Sequence, residues 1–535
     1  MSILSVSFLA FVAVSLVAYF MIPERYQWIG LLVLSCVFYL FAGIWAMLFM
    51  LLTAISTFFA GRYMGKVNAE FETAVANYHG PNAKMTRAEK KALKAEQDKR
   101  KRRVLVGTLI LNFGILILLK YQNIVFGLGE GLGRAFGLAW DRPSASIIVP
   151  LGISYYTFQA MGYLLDLYRR KYAPERHLGH FLLFISFFPQ LIQGPISRYD
   201  ELSGQLLSGH RYDFTRIKHG AVLIGWGLFK KLVISDRIAI MTGAIYAAPD
   251  QYSGWYLVAA TVMGMLQLYT DFSGGIDMTR GVAQMFGIIL PDNFLRPFFA
   301  TSLREYWQRW HITLNNWWRD YIFYPFTLSK PLQRFANGAK KVFGQEFGKK
   351  VPAVLAIILI RIINSIWHGA SGGSILCGSC YGITLALAFC LEPAFKKLTV
   401  KLRINTQCLS WRIFQCLRTF FLIAMPRLAI NAVTLKEGFH YIECMFRKNN
   451  PWILFDGSLY KLGVSQDACC IISMGLLVLL AVSCMQEKGV SVRAWLDRQN
   501  LGFRWLVYIG LACAILVFGV YGAGYNAGAF VYQQV

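Results

Sequence analysis

The stretch S-L-R-E-Y-W-Q-R-W-H-I-T-L-N-N-W-W-R-D-Y-I-F-Y-P, residues 302–325, sets the expected architecture of this chain. It is too polar to span a bilayer and too aromatic to be a loop. Read at 3.6 residues per turn, it predicts one amphipathic helix whose apolar face holds Leu303, Trp307, Trp310, Leu314, Trp317 and Tyr321. A polar stripe beside that face holds Arg304, Gln308, His311, Asn315 and Arg319.

The composition predicts an all-α polytopic membrane protein. Of 535 residues, 56% are hydrophobic and only 15% are charged. Apolar runs recur along the whole chain, and each is long enough to cross about 30 Å of hydrocarbon. The runs are continuous rather than alternating, which disfavours a transmembrane barrel. We therefore expect one membrane-embedded domain over residues 1–535.

The charge and the cysteines disfavour two other functions, nucleic-acid binding and metal binding. The net charge of +26 comes from Lys and Arg clustered between apolar runs, as in cytoplasmic loops, so we expect no nucleic-acid partner. The eleven cysteines include Cys377 and Cys380 in one CxxC and the adjacent Cys469 and Cys470. Neither pair has a second CxxC or a CxxxH to complete a zinc site, so we predict no metal.

Basic segments set the expected orientation in the membrane. The first apolar run, about 3–22, has no cleavage site and is predicted to be a retained helix. The segments 62–103, 169–176 and 330–350 are basic and are expected on the cytoplasmic side, where the first can contact anionic lipid headgroups. Counting crossings from the first segment predicts that both termini lie outside, in a bacterial cytoplasmic membrane.

The region 179–300 does not fit a simple count of crossings. Its apolar runs at 179–196, 217–235 and 254–272 are broken by Gly and Pro, and three crossings would put 330–350 on the wrong side. At least one run must be re-entrant, or 283–325 must supply part of a crossing. Broken helices at membrane depth are tolerated where they line a cavity, so this region is expected to line one.

A second histidine, His368, ends an apolar run in I-W-H-G. Arg361, Asn364 and His368 share one helix face, and an Arg in hydrocarbon is costly unless it faces protein or water. The face is therefore expected either to form a packing network or to line a cavity. Asp271, in Y-T-D-F-S-G-G, is expected to cap a helix or to pair with a nearby Arg.

We predict that His311 and His368 form a reaction centre, supported by Arg361, Asn364, Trp310, Asp271 and Arg304. Histidine suits proton transfer because its unperturbed pKa of about 6.5 is near the working pH. The sequence contains no P-loop and no H-E-x-x-H. Proton abstraction from a hydroxyl, followed by acyl transfer, needs only one or two histidines.

Six segments resemble the membrane-bound O-acyltransferase family, in its bacterial alginate O-acetylase branch. They are V-P-L-G-I-S-Y-Y-T-F-Q-A (149–160), F-F-P-Q-L-I-Q-G-P-I-S-R (187–198), D-F-S-G-G-I-D-M (271–278), R-P-F-F-A-T-S-L-R-E-Y-W-Q-R-W-H-I-T-L (296–314), W-R-D-Y-I-F-Y-P (318–325) and W-H-G (367–369). The resemblance implies a ring of about eleven transmembrane helices around a central funnel. It also implies that His368 is the invariant histidine of the family and that His311 is the second site residue.

Further expectations come from the same resemblance. An acyl thioester such as acetyl-CoA would be the donor, with no tightly bound cofactor, and a separate extracytoplasmic SGNH-type acyltransferase or esterase-like protein would be the partner. Relatives end in F-x-Y-x-x-F, whose tyrosine is a proposed acyl carrier. This chain ends in Phe530-Val531-Tyr532-Gln533-Gln534-Val535, so Tyr532 matches the tyrosine but the last aromatic is replaced.

Three functions remain open on the sequence. The first is O-acetylation of a cell-surface polysaccharide or peptidoglycan, and the second is D-alanyl transfer to teichoic acid. The third is transport of a polymer or lipid-linked sugar, with the histidines as a proton relay. The inverted repeats of many transporters are not evident in the sequence, which favours the enzymes.

Overall fold

The computed structural model describes residues 3–78, 85–136, 149–521 and 530. Within these residues the chain is helical, and the only extended pairing is an isolated antiparallel bridge between Phe294 and Trp310. Two compact units are present, Met1–Ile217 with Val282–Leu290 and Lys218–Gly281 with Pro291–Val535. The single domain expected over 1–535 stays a prediction.

The first unit is built from nine helices in the described residues. They are α1 (Val6–Met21), α2 (Gln27–Leu40), α3 (Ile44–Ala76), α4 (Arg87–Lys120), α5 (Gln122–Ala135), α6 (Ile153–Tyr168), α7 (Leu178–Ser186), α8 (Phe188–Gln193) and α9 (Tyr199–Leu207). Helices α2 and α3 are separated at Gly43, whose φ of 113° few other residues adopt. The run 179–196 is divided between α7 and α8, each too short to cross a bilayer alone.

The basic segment 62–103 is helical over most of its described length. Helix α4 begins at a capping box, in which Thr86 accepts from the Glu89 backbone and Glu89 accepts from the Thr86 backbone. The helix then runs without interruption from basic sequence into apolar sequence. Gln97 of α4 donates to the Val67 carbonyl of α3 at 2.8 Å, so the polar ends of α3 and α4 pack together.

The second unit contains the remaining helices, apart from the first residues of α10 and the last residues of α12. They are α10 (Phe214–Leu228), α11 (Asp236–Ala247), α12 (Trp255–Met285), α13 (Leu303–Arg309), α14 (Ile312–Trp318), α15 (Tyr324–Thr327), α16 (Lys330–Phe343), α17 (Gln345–His368), α18 (Gly372–Lys401), α19 (Leu409–Arg427), α20 (Leu435–Arg447), α21 (Gln466–Glu487), α22 (Val492–Asp497) and α23 (Leu501–Phe518). Two π-helical segments, Phe229–Ser235 and Arg319–Phe323, join α10 to α11 and α14 to α15.

Seven helices in the described residues are long and apolar enough to cross a membrane, which confirms an all-α polytopic membrane protein. They are Ile44–Ala76, Arg87–Lys120, Gln345–His368, Gly372–Lys401, Leu409–Asn431, Gln466–Glu487 and Leu501–Phe518. Helix α1 is apolar but shorter. The count of about eleven crossings and the funnel stay predictions.

Helices α17 and α18 pack closely at glycine. A Cβ atom added to Gly378 of α18 would lie 2.5 Å from Ser365 Cβ and 2.8 Å from the Arg361 carbonyl oxygen of α17. Small residues at such contacts let two helix backbones approach each other in a membrane. This contact fixes α17, the helix that carries Arg361, Asn364 and His368.

Candidate functional site

His311 lies at a break between α13 and α14. Its backbone is left-handed, with φ 43° and ψ 53°, a conformation that costs an L-residue about 1–2 kcal/mol. The continuous helix predicted over 302–325 is therefore wrong. The break is held by neighbouring backbone, because Leu295 N donates to the Arg309 carbonyl at 2.9 Å and Ile312 N to the Asn293 carbonyl at 3.0 Å.

The His311 side chain is buried, with 2% of its surface exposed, rather than lying on a polar stripe. Its Nδ1 lies 3.3 Å from Asn293 Oδ1. That oxygen also accepts from the backbone N and hydroxyl of Thr313, at 3.1 and 2.9 Å, which identifies it as the amide oxygen. Nδ1 is thus the protonated nitrogen and Nε2 the unprotonated one. Burial lowers the pKa of His311 to about 3, so its ring is neutral at physiological pH.

Aromatic contacts bring His311 and His368 into one cluster. The Phe272 ring lies 4.8 Å from the His311 ring, at nearly a right angle. The indole of Trp367 lies 6.3 Å from the His311 ring and 4.4 Å from the ring of His368, measured between centroids. Trp367 therefore contacts both histidines that the sequence singled out.

The polar face of α17 meets the segment around His311. Arg361 Nη2 donates to Asn315 Oδ1 at 2.9 Å, and its guanidinium carbon lies 4.0 Å from the Trp307 ring centroid. One turn later, Trp318 Nε1 donates to Asn364 Oδ1 at 3.2 Å. These contacts place Arg361 and Asn364 beside α13 and α14, and His368 ends the same helix.

Two predicted support residues have different surroundings. Trp310 is 4% exposed and packs at ring distances of 5.0 Å on Phe294 and 5.6 Å on Tyr306. Arg304 has an exposed side chain that pairs with Glu392 at 3.8 Å. Trp310 thus anchors the break at His311, whereas Arg304 contacts the surface of α18.

Asp271 pairs with a buried lysine that the sequence analysis did not identify. Lys231 Nζ lies 2.6 Å from Asp271 and 2.8 Å from Asp236, and it sits in the π-helical segment Phe229–Ser235. The neighbouring Lys230 pairs with Asp277 at 2.7 Å. Two lysines inside the apolar run 217–235 were the available signal, because buried lysines require acidic partners.

Lys231 also contacts Phe530. Phe530 is fully buried, and Lys231 Nζ lies 4.6 Å from its ring centroid. A cation over an aromatic face is attracted by the ring quadrupole. Tyr532, the predicted acyl carrier, lies outside the described residues.

Glu487, at the end of α21, was also missed by the sequence analysis. Its carboxylate accepts from Arg309 at 2.9 and 3.0 Å, from Arg296 at 2.8 Å and from Arg412 at 3.2 Å. Arg309 ends α13, two residues before His311. Glu487 therefore fixes the N-terminal side of the break, where charge-assisted hydrogen bonds are among the stronger ones in proteins.

Comparison with known proteins relates this chain to membrane-bound O-acyltransferases. Residues 175–339 match the model of the membrane-bound O-acyltransferase family. The matched segment includes His311 but ends before His368. A probable alginate O-acetylase AlgI of Pseudomonas syringae pv. tomato is 28% identical over 393 residues, 72% of this chain and 69% of the relative.

Two further relatives are named for peptidoglycan and for teichoic acid. A peptidoglycan O-acetyltransferase of Helicobacter pylori is 29% identical over 65% of this chain and 66% of its own length. A teichoic acid D-alanyltransferase of Streptococcus thermophilus is 29% identical over 45% of this chain and 57% of its own length.

Proposed function

The chain belongs to the membrane-bound O-acyltransferase family as an alginate O-acetylase-like enzyme, and from that premise we propose that it transfers acetyl groups across the membrane. The donor would be a cytoplasmic acyl thioester such as acetyl-CoA, bound only during turnover. The acceptor would lie on the path to a cell-surface polysaccharide or peptidoglycan. The observation that carries the proposal is the contact of Trp367 with both His311 and His368.

His368 is the proposed general base. It accepts the proton of the acceptor hydroxyl while the hydroxyl oxygen attacks the thioester carbonyl carbon. The C–S bond then breaks, an ester forms, and the thiol leaves with the proton that His368 returns. His368 ends α17, and the partial negative charge of a helix C-terminus stabilises the imidazolium that forms during this step.

His311 and Arg361 would hold the site in shape. Neutral His311 presents Nε2 as a hydrogen-bond acceptor and is fixed by Asn293. Arg361 is 8% exposed, and its Nη1 finds no hydrogen-bond acceptor among the residues that the structure describes. A buried donor of this kind is costly unless something accepts from it, so Nη1 is proposed to bind an oxygen of the acyl donor.

The extent of the similarities favours acetyl over D-alanyl transfer. The alginate O-acetylase relative spans 72% of this chain, whereas the D-alanyltransferase relative spans 45%. D-alanyl transfer to teichoic acid remains the second candidate because that relative is 29% identical where it aligns, against 28% for the alginate O-acetylase relative. An acyl-carrier protein as the preferred donor would indicate D-alanylation, and acetyl-CoA would indicate acetylation.

The proposed setting is a bacterial cytoplasmic membrane with both termini outside. The basic segments 62–103, 169–176 and 330–350 support this orientation, because Lys and Arg are retained on the cytoplasmic side. An extracytoplasmic SGNH-type acyltransferase or esterase-like protein is the proposed partner that would receive the acyl group. Lipid headgroups would contact the basic half of α4.

The test is transfer of radiolabelled acetyl from acetyl-CoA to polymer in isolated membranes. His368→Ala is expected to abolish labelling while the protein remains in the membrane. His180→Ala is the matched control. His180 lies on α7, is half-buried, contacts Glu175 and has no proposed role. Labelling that persists in His368→Ala would contradict the proposal, as would uptake of polymer that needs no acyl donor.

The tail is tested in the same membranes. Radiolabel bound to the chain itself, and lost in Tyr532→Phe, would support Tyr532 as an acyl carrier. Equal labelling of the chain in both proteins would exclude this role, and polymer acetylation without any labelled chain would show direct transfer.

A further inference from the structure

Three side chains that commonly bind metals meet at a corner of the second unit. His440 Nε2 lies 3.0 Å from Asp250 Oδ2, and Cys444 Sγ lies 3.5 Å from His440 Nε2 and 3.7 Å from Asp250 Oδ1. Among the described residues this is the one group of His, Cys and acidic side chains whose ligand atoms all lie within 4.8 Å. None of these residues belongs to the proposed acyl-transfer site.

The backbone brings these groups together through two elements. His440 and Cys444 are four residues apart on α20, so they project from the same face one turn apart. Asp250 lies in the connection between α11 and α12. That connection is tied to α20 because Gly254 N donates to the Cys444 carbonyl at 2.9 Å. The last turn of α11 is tied to α20 as well, because Tyr441 donates to the Tyr246 carbonyl at 3.1 Å.

The corner is fixed further by Asn450. Its Oδ1 accepts from Trp255 N at 2.9 Å, and Gly254 has a φ of 73°. A Cβ atom at Gly254 would lie 2.2 Å from that oxygen, so only glycine fits this close approach. The three ligand residues are therefore held by ordered backbone on both sides.

We propose that Asp250, His440 and Cys444 bind a divalent transition metal of the zinc class in tetrahedral geometry. With metal–ligand bonds of about 2.0–2.3 Å, tetrahedral ligand atoms lie roughly 3.3–3.6 Å apart, close to the three distances observed. One nitrogen, one thiolate and one carboxylate suit zinc or cobalt better than calcium or magnesium, which take oxygen ligands. Asp250 is on the surface, so the fourth position is open to solvent.

Glu443 is placed to orient the imidazole of His440. Its carboxylate lies 3.7 Å from His440 Nδ1, on the ring edge opposite the proposed metal. A carboxylate there orients a metal-bound imidazole. Arg447 contacts Asp250 at 2.7 Å and Glu443 at 3.1 Å, so its guanidinium keeps a partner when the metal takes Asp250.

Binding displaces the protons on two ligand atoms. The proton that His440 Nε2 directs at Asp250 leaves that nitrogen, and the neutral ring carries its proton on Nδ1, beside Glu443. The Cys444 thiol is fully buried, and the metal–sulfur bond forms as the S–H proton passes to solvent. No electron is transferred in this step. The bound metal would fasten the connection between α11 and α12 to α20, far along the chain from His311 and His368.

The test uses the full-length protein purified in detergent without added metal and titrated with Co²⁺. Wild type is expected to develop the absorption of a thiolate-to-cobalt charge transfer together with the visible bands of a tetrahedral ion. Cys444→Ser should lose the charge-transfer absorption, and His440→Gln and Asp250→Asn should weaken binding. Cys470→Ser, an exposed thiol on α21, is the matched control and should behave as wild type.

Thermal unfolding with Zn²⁺ gives an independent readout. Zinc should raise the Tm of wild type and Cys470→Ser but not that of Cys444→Ser, because a ligand stabilises only the state that binds it. Absence of the charge-transfer absorption in wild type would overturn the proposal, whatever the variants do. An absorption that survives in Cys444→Ser but is lost in Cys470→Ser would overturn it as well.

Discussion

The segments that carry the two histidines differ in how they hold an imidazole. His311 lies in a left-handed break between two short helices, fully buried and tied to Asn293. His368 ends one continuous helix of 24 residues and is only partly buried. A buried imidazole on a strained backbone is suited to holding the shape of the site. An imidazole at a helix end next to glycine is suited to contacting a substrate. The difference is consistent with the proposed roles, in which His311 supports the site and His368 transfers the proton.

The largest expected effect is on the rate of acyl transfer, and it tests the separate roles proposed for His311 and His368. We expect His368→Ala to lower the rate by about 10²–10⁴-fold with little change in Tm, because it removes the proposed base from a side chain that is only partly buried. His311→Ala should lower Tm and reduce the rate less. The measurements are initial rates and thermal unfolding in the same detergent. If His311→Ala is inactive at unchanged Tm, the two roles are reversed.

The next effect concerns the charges beside the His311 pocket. Lys231→Met removes the ammonium group that contacts both Asp271 and Asp236. Asp271 directly precedes Phe272, whose ring packs on His311. Breaking a buried ion pair in this way is expected to cost about 3–5 kcal/mol of unfolding free energy.

The double variant Lys231→Met, Asp271→Leu serves as the control in denaturant unfolding. Replacing both partners is expected to recover part of the loss, since a buried pair replaced by apolar side chains is often tolerated. Equal destabilisation by the single and double variants would mean that the ion pair does not support the site.

The pH dependence of unfolding tests whether His311 is buried as a neutral ring. The folded pKa of His311 is lowered to about 3, so its contribution to stability is present above the unfolded pKa of about 6.5 and is lost as pH falls below that value. The loss approaches about 1.4 kcal/mol for each pH unit, or roughly 2 kcal/mol at about pH 5. The unfolding free energy of His311→Asn should fall less steeply over this range, and an identical slope would contradict the burial of a neutral ring.

The smallest effect tests the left-handed backbone alone. Asparagine tolerates this conformation and valine does not, so His311→Val should be about 1–2 kcal/mol less stable than His311→Asn. Ile360 of α17, which is buried, can be exchanged for Val and Asn as a helical control, where the order should reverse because asparagine would bury a polar amide. Equal stability of the two His311 variants would show that the left-handed backbone at this position is not strained.

The sequence predicted the membrane class and the helices with strong apolar runs, because those signals are local. It also predicted the shared face of Arg361, Asn364 and His368, which is a consequence of helical spacing alone. It failed at His311, because the break depends on backbone pairing with residues 293–295, and a 3.6-residue period cannot report on that pairing.

Other partners were missed because they are distant in sequence. Asp271 was expected to meet an Arg or a helix end, but its partner is Lys231. Glu487 joins Arg296, Arg309 and Arg412 from three segments. The spacing of His440 and Cys444 is visible in the sequence, but Asp250 lies 190 residues away from His440 and gives no local signal.

The two π-helical segments set the rotational phase of the helices that come after them. A π turn holds about one residue more than an α turn, and each residue of an α-helix turns the chain by about 100°. Removing one residue from Phe229–Ser235 would therefore swing Asp236 and all of α11 about a quarter turn around the helix axis. The segment Arg319–Phe323 sets α15 in the same way. In this chain, single-residue deletions at these two places would act as rotations of whole helices rather than as local losses.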